Sequence, residues 1–214
     1  MLIYFLRHGE TMWNRESRIQ GTTPYTDLTD FGVRLAELTL DGITARDLKF
    51  DRVYVSPLRR AMHTAEIVMR GQTCPLIVDD RVREMSFGKY EGTRIGDGLW
   101  EDDNIRSLFR NPPAYVPPPG AEALDDVLAR FTDFLEKEIM PLEGTCGKVL
   151  VVCHGGIMRT VLRYMLHTPV EKYWDGRQPN CCVHIVSLKD GNFTLEEQSA
   201  VFYDSALAAK VPSV

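Results

Sequence analysis

Three apolar segments of the chain end in polar residues that could act together on a phosphoryl group. These ends are Arg7-His8-Gly9, Ser56-Pro57-Leu58-Arg59-Arg60 and His154-Gly155-Gly156. An imidazole can act as a nucleophile, and a guanidinium is a planar donor fork for oxyanions. Two guanidiniums and a second, protonated imidazole could neutralise the three equatorial oxygens of a phosphoryl group without a metal. The sequence therefore points to phosphate chemistry centred on His8.

The three apolar segments themselves read as strands of one sheet. Residues 2–6, 51–55 and 148–153 are short and rich in Val, Ile, Leu and aromatic residues, and the last is continuously apolar, as in a parallel strand covered on both faces. The carboxyl ends of parallel strands meet at one edge of a sheet, where ligands bind in α/β proteins. The same edge should therefore hold both histidines and at least two arginines.

The remaining periodicity predicts helices on both faces of that sheet. Helices are expected over about 29–47 with Thr29 as N-cap, over 58–70 with Ser56 as cap, over 121–139 and over 157–166. A short strand at 76–78 and a hairpin turn at 189–192 complete the pattern. The predicted fold class is α/β: a three-layer helix–sheet–helix sandwich with a mostly parallel central sheet and an antiparallel edge hairpin.

Residues from about 85 to 120 interrupt this alternation. They contain several glycines, Pro112-Pro113 and Pro117-Pro118-Pro119, and a short helix is expected near 102–109. A stretch of this length without regular structure is uncommon in a compact domain unless it has a function. We therefore interpret it as an insert or lid within a single domain spanning residues 1–214.

Composition narrows the class of function. The formal net charge is −5, which disfavours binding to nucleic acid or to anionic membranes but allows a local cluster of arginines. The five cysteines show no paired or zinc-like spacing, and no apolar run approaches the length of a membrane span. The first strand lacks the flanks of a signal peptide. We expect a cytoplasmic protein that needs no metal and no cofactor.

Each motif alone is weak, since a histidine after a strand is usually a capping or core residue. Together, the motifs resemble those of the histidine phosphatase superfamily, in its phosphoglycerate-mutase-like branch. The resemblance extends over nearly the whole chain. It rests on four ordered segments: Leu6 to Thr11 with Trp13-Asn14, Ser56 to Ala61 with Thr64-Ala65-Glu66, Arg83-Glu84-Met85 with Gly88 and Glu91-Gly92, and Val151 to Gly156.

The resemblance implies a role for each matched residue. His8 would be the nucleophile that forms a phosphohistidine, with its other ring nitrogen donating to a backbone carbonyl. Arg7, Arg59 and His154 would hold the phosphoryl oxygens. Arg60 is adjacent to Arg59 on the predicted helix and so points elsewhere, and we expect it in a structural salt bridge. Glu84 would protonate the leaving oxygen and then activate water. Substrate contacts are expected from four further residues: Asn14, Gln20, Gly21 and Gly155.

Departures from the mutase pattern favour hydrolysis. Gly156 stands where glycolytic mutases usually carry Asn, and the stretch from Tyr90 to Gly120 has no adjacent arginine pair. The expected function is metal-independent hydrolysis of a small phosphorylated metabolite, such as the phosphorylated nucleoside-like substrate of α-ribazole phosphatases. The alternatives are a cofactor-dependent phosphoglycerate mutase, a phosphatase that acts on proteins and, with least support, a non-catalytic binding or regulatory module. Either a monomer or a homodimer is compatible with the sequence.

Overall fold

The structure, a computed structural model, describes residues 1–96 and 99–208. Its strands are β1 (Leu2–Arg7), β2 (Arg52–Val55), β3 (Leu76–Val78), β4 (Lys148–Cys153), β5 (Cys182–Lys189) and β6 (Asn192–Val201). They form one sheet in the order β3-β2-β4-β1-β5-β6. Pairings among the first four strands are parallel, and those of β5 with β1 and of β6 with β5 are antiparallel. The predicted α/β class and edge hairpin are confirmed.

The helices are α1 (Met12–Arg15), α2 (Asp30–Ala45), α3 (Arg59–Val68), α4 (Asp103–Arg110), α5 (Leu124–Phe134), α6 (Gly155–Leu166) and α7 (Ser205–Ala208). Alternate residues of a strand point to opposite faces of the sheet, so β1 contributes to two cores. Ile3 and Phe5 pack with residues of α5 and α6, whereas Tyr4 and Leu6 pack with residues of α2 and α3. The sheet is therefore the middle layer of the predicted sandwich.

Three predicted helices differ in detail. The helix expected over 121–139 begins at Leu124, as α5, and continues in a π-helical turn, Leu135–Ile139. The helix expected over 157–166 begins two residues earlier, at Gly155. The helix expected from Leu58 begins at Arg59, with Leu58 as its N-cap residue and no side-chain cap. The prediction of Ser56 as the cap is wrong, because the Ser56 side chain hydrogen-bonds to His154. By contrast, Thr29 caps α2 as predicted and accepts the N–H of Gly32.

The described part of the region predicted as an insert packs on the main hydrophobic core. It contains α4 and three short 3₁₀ turns, Gly88–Tyr90, Leu99–Glu101 and Pro112–Ala114. Ile105 and Leu108 of α4 are fully buried in the same core as Phe5 and Phe131. Asp97 and Gly98 of the predicted insert, and residues 209–214 of the predicted domain, lie outside the described residues.

Parallel register brings the three polar segments to the same edge. Arg7 of β1 is paired with Cys153 of β4, and Val55 of β2 with Val152 of β4. The ladder continues for one more residue, because His8 N donates to the Cys153 carbonyl at 3.0 Å and Ser56 N to the Val152 carbonyl at 3.0 Å. His8, Ser56 and His154 therefore emerge side by side.

Candidate active site

His8 lies at the bottom of a pocket at this edge of the sheet. Its Nδ1 is 2.7 Å from the carbonyl oxygen of Gly9, so Nδ1 carries the proton and Nε2 keeps its lone pair. Burial, followed by the charges of Arg60 and Arg7, lowers the pKa of His8 well below its usual range. The ring is therefore neutral at neutral pH, as a nucleophile requires. The expected contact with a backbone carbonyl is present.

Arg7 is buried beside His8, and Gln178 fixes its orientation. One terminal nitrogen donates to the backbone carbonyl of Gln178, while Nε has no partner among the described residues. Arg7 is only 3% exposed, and burial lowers its pKa. A buried donor without a partner costs free energy, so a ligand oxygen that accepts from Arg7 would be favoured.

The structure brings Arg60, not Arg59, into the pocket. Arg59 is 69% exposed, and its Nε donates to Asp27 at 2.6 Å on the outer surface. Arg60 is completely buried, lines the pocket and keeps an Nε without a protein partner in the described chain. Because adjacent helical residues point about 100° apart, only one of the two can face His8. The prediction that Arg59 faces the phosphoryl site is wrong, because Arg60 occupies that position. The predicted salt bridge of Arg60 is also wrong, since its hydrogen bonds within the described chain go to carbonyl and hydroxyl oxygens.

Backbone and hydroxyl oxygens of the first loop hold the Arg60 guanidinium. Its terminal nitrogens donate to the Gly21 carbonyl at 2.7 Å, the Thr23 carbonyl at 3.1 Å and Thr26 Oγ1 at 3.1 Å. Burial lowers the pKa of Arg60 to about 10, so the group remains charged at neutral pH. Three acceptors therefore fix a cation at the side of the pocket, with no carboxylate in the contact.

His154 is buried beside His8, with ring centroids 5.2 Å apart. Burial, then the charges of Arg60 and His8, lower the pKa of His154 well below its usual range, which favours a neutral ring in the free site. Protonation of His154 when a phosphoryl group is bound stays a prediction. Nε2 is 2.7 Å from Ser56 Oγ, which also accepts the Leu58 N–H at 3.3 Å. A hydroxyl that donates to Nε2 leaves the proton on Nδ1, which has no hydrogen-bond partner among the described residues.

Glu84 reaches the pocket from the segment after β3. Both of its carboxylate oxygens lie 3.1 Å from Gly156 N, at the start of α6, and Oε1 also accepts the Met85 N–H at 2.9 Å. The side chain is 9% exposed and lines the pocket with His8. Glu84 and His8 line the same pocket, so Glu84 is placed to give a proton to the oxygen that leaves the phosphorus attacked by His8.

The predicted substrate-contact residues also line the pocket, namely Asn14, Gln20, Gly21 and Gly155. Asn14 Oδ1 accepts from Thr11 N at 3.1 Å, and Gln20 Oε1 accepts from Thr11 Oγ1 at 2.9 Å. These contacts orient both amide side chains through Thr11. The structure thus gathers every predicted site residue except Arg59, and their catalytic and binding roles stay predictions.

Trp174 also lines the pocket, and it packs against the insert as well. Its Nε1 donates to the Leu108 carbonyl at 2.6 Å, and its ring centroid lies 4.6 Å from that of Phe109. Trp174 thereby fixes α4 of the insert against the pocket wall. A tryptophan in a loop has no periodic pattern, so no sequence signal separates these two roles.

The arginines of the insert lie outside the pocket. Arg94 Nε donates to the Glu16 carbonyl, Arg106 pairs with Asp103, and Arg110 lies over the ring of Trp100. None of the three lines the pocket around His8. An arginine pair that would hold the carboxylate of a phosphoglycerate is therefore missing from the described part of this insert.

Comparison with known proteins places this geometry in a family. The model of the histidine phosphatase superfamily (branch 1) matches residues 3–200. The chain is 31% identical to a 2,3-bisphosphoglycerate-dependent phosphoglycerate mutase of Methylobacterium sp., over 75% of the chain and 78% of that protein. It is 28% identical to a metal-independent phosphoserine phosphatase of Arabidopsis thaliana, over 96% of the chain and 84% of that protein.

A solved structure supports the same placement. The α-ribazole phosphatase of Shigella flexneri superposes with a TM-score of 0.80 at 25% identity, covering 94% of this chain and 96% of that one. The chain therefore belongs to the histidine phosphatase superfamily (branch 1). Within it, the chain is similar both to mutases and to phosphatases, so the choice between them depends on the pocket itself.

Proposed function

We propose that the protein is a metal-independent phosphatase that hydrolyses small phosphomonoesters through a phosphohistidine at His8. One observation carries the proposal: His8 Nδ1 is bound to the Gly9 carbonyl, which leaves Nε2 for attack, and three buried nitrogens of the same site, Arg7 Nε, Arg60 Nε and His154 Nδ1, have no hydrogen-bond partner among the described residues. Such donors stabilise charge as it develops on a phosphoryl group in a site that excludes water. The mutase alternative is less supported, because the insert arginines lie outside the pocket.

The reaction would proceed in two balanced steps. The His8 Nε2 lone pair attacks phosphorus, the ester P–O bond breaks, and the leaving oxygen takes a proton from Glu84. Water then attacks the phosphohistidine, Glu84 takes the proton of that water, and the P–N bond breaks to release phosphate and neutral His8. The first step is faster for a leaving oxygen of low pKa, whereas the second step is the same for every ester.

The substrate that we propose is a small phosphorylated metabolite. The cavity beside His8 has a volume of about 60 Å³ and is lined in part by Trp174 and Ile19, which supports a small substrate. Within the described ranges no helix is both long and apolar enough to cross a bilayer. The five cysteines are free thiols, which supports a reducing compartment, and we propose the cytoplasm.

The test is a comparison of purified wild-type protein with His8→Ala. With p-nitrophenyl phosphate, the wild type should turn over and form an acid-labile, base-stable phosphoenzyme, and His8→Ala should do neither. Full turnover by His8→Ala would overturn the proposal. A parallel assay with phosphoglycerates, in the presence of 2,3-bisphosphoglycerate, separates the alternatives: interconversion faster than phosphate release would favour the mutase.

A further inference from the structure

The contact between Glu84 and Gly156 is close enough that only glycine permits it. Both carboxylate oxygens of Glu84 lie 3.1 Å from Gly156 N. A Cβ built on Gly156 would lie 2.4 Å from Glu84 Oε1 and 3.3 Å from its Cδ. Real Cβ atoms almost never come within 3.0 Å of a non-bonded heavy atom of another segment. Any side chain at this position would therefore displace the carboxylate.

The backbone conformation at Gly156 does not itself require a glycine. Gly156 lies in the first turn of α6, and its φ is outside the left-handed region that favours glycine. In a helix, alanine is more stable than glycine by about 1 kcal/mol. The neighbouring glycine differs, since a Cβ at Gly155 would meet Arg7 Nε at an ordinary distance of 3.5 Å. The close approach at Gly156 is specific to Glu84.

We infer that Gly156 is a positioning residue for the acid–base group Glu84, an inference that rests on the proposed function. Its N–H, at the positive end of α6, binds the carboxylate, and its missing side chain lets that carboxylate lie directly beside His154-Gly155. Met85 N adds a second donor at 2.9 Å. The carboxylate is thereby held where the leaving oxygen and, later, the attacking water must be.

Gly156→Ala tests this directly. Only the end of a flexible side chain has to move, so we expect the variant to fold with a melting temperature within a few degrees of the wild type. A displacement of about 1 Å can cost roughly 100-fold in rate, and we expect kcat for an alkyl phosphomonoester to fall roughly 10- to 100-fold. KM should change by less than about threefold, because the phosphoryl donors remain in place.

Measuring which reaction step slows in Gly156→Ala distinguishes a positioning role of Gly156 from a general loss of structure. p-Nitrophenolate leaves readily without an acid, but the water that attacks phosphohistidine still needs Glu84 as base. Gly156→Ala should therefore release a burst of about one p-nitrophenolate per active site and accumulate phosphohistidine. Equal slowing of p-nitrophenyl and alkyl esters, with no burst, would overturn the inference. So would a variant that does not fold, because only one side chain should need to move.

A double-mutant cycle with Glu84→Gln completes the test. If Gly156 acts through the carboxylate, Gly156→Ala should cost less than about twofold in the Glu84→Gln background. Multiplicative losses would contradict the inference. Gly147→Ala is the matched control, because a Cβ there meets Asp51 Oδ2 at 3.4 Å, before β4 and away from the pocket, and it should keep full activity. Failure of the wild type to form phosphohistidine would instead refute the proposed function.

Discussion

Arg59 and Arg60 provide a matched pair for testing the site, because they are adjacent in sequence and lie in opposite environments. Arg60 is fully buried, lines the pocket and donates three hydrogen bonds to the first loop, while its Nε has no partner among the described residues. Arg59 is 69% exposed and forms one ion pair with Asp27. Replacing each in turn by Met removes the same charge and a similar volume, so any difference in activity reports the position of the guanidinium.

For Arg60→Met we expect kcat to fall roughly 100- to 1000-fold, which is what the loss of one preorganised charge-stabilising donor costs in other enzymes. This corresponds to about 2.7–4 kcal/mol of transition-state stabilisation. The Gly21 and Thr23 carbonyls and Thr26 Oγ1 also lose a charged donor, so stability should fall by about 1–3 kcal/mol. Arg60→Lys keeps the positive charge and is the second variant to measure in case Arg60→Met does not fold.

For Arg59→Met we expect kcat within about twofold of the wild type. An exposed ion pair contributes about 0–1 kcal/mol to stability, and the lost group does not reach the pocket. The assay is steady-state hydrolysis of p-nitrophenyl phosphate, with urea unfolding of the same preparations. The reasoning is refuted if Arg59→Met loses as much activity as Arg60→Met, or if Arg60→Met and Arg60→Lys both retain wild-type kcat.

Three further predictions follow from the same contacts. Ser56→Ala removes the hydroxyl beside His154 Nε2, so kcat should fall about tenfold and its pH profile should shift, whereas an unchanged profile would contradict the tautomer assignment. Burial lowers the pKa of His184 to about 4, and its Nδ1 accepts the Ser199 N–H. Below pH 6.5 the unfolded chain binds a proton that the native state does not, so stability should fall between about pH 6.5 and 4, by at most about 3 kcal/mol from this group. In urea unfolding, His184→Gln should lose less stability than the wild type as the pH falls from about 6.5 to 4, and an equal loss of stability would contradict this prediction. Dialysis against EDTA should leave turnover of p-nitrophenyl phosphate unchanged, and a collapse restored by added metal would disprove metal independence.

The fold was predictable because the strands and helices of each layer of the sandwich have simple sequence patterns. The continuous apolar run of β4 requires cover on both faces, and α2 carries an N-cap at Thr29. The π-helical turn after α5 was not predictable, because the apolar spacing of Leu135 and Ile139 fits an α-helix equally well. The pocket followed from the parallel register, since strand ends at one edge must converge.

The sequence located Ser56 and Gly156 at the correct edge of the sheet but did not show which partners they contact. Ser56, followed by Pro57, has the pattern of a helix cap, yet its hydroxyl orients His154 from the adjacent strand, a partner 98 positions away. Gly156 has the pattern of a turn glycine, yet its role depends on Glu84, which arrives from a different segment. No local pattern encodes contacts of such sequence separation, and only the assembled edge of the sheet reveals them.

The choice between Arg59 and Arg60, by contrast, was predictable, because the periodicity of α3 shows which of the two faces the pocket. Helical residues four apart share a face, and Arg60 shares its face with the buried Thr64, whereas Arg59 shares its face with the half-exposed His63. Thr64 Oγ1 donates to the Arg60 carbonyl and accepts the Gly9 N–H at 3.0 Å, so this face points at the end of β1. His63 and Arg59 meet at Asp27 on the outer face. A charged residue on the apolar face of a helix, directly after a strand that ends at the pocket, is therefore the stronger candidate of any such pair.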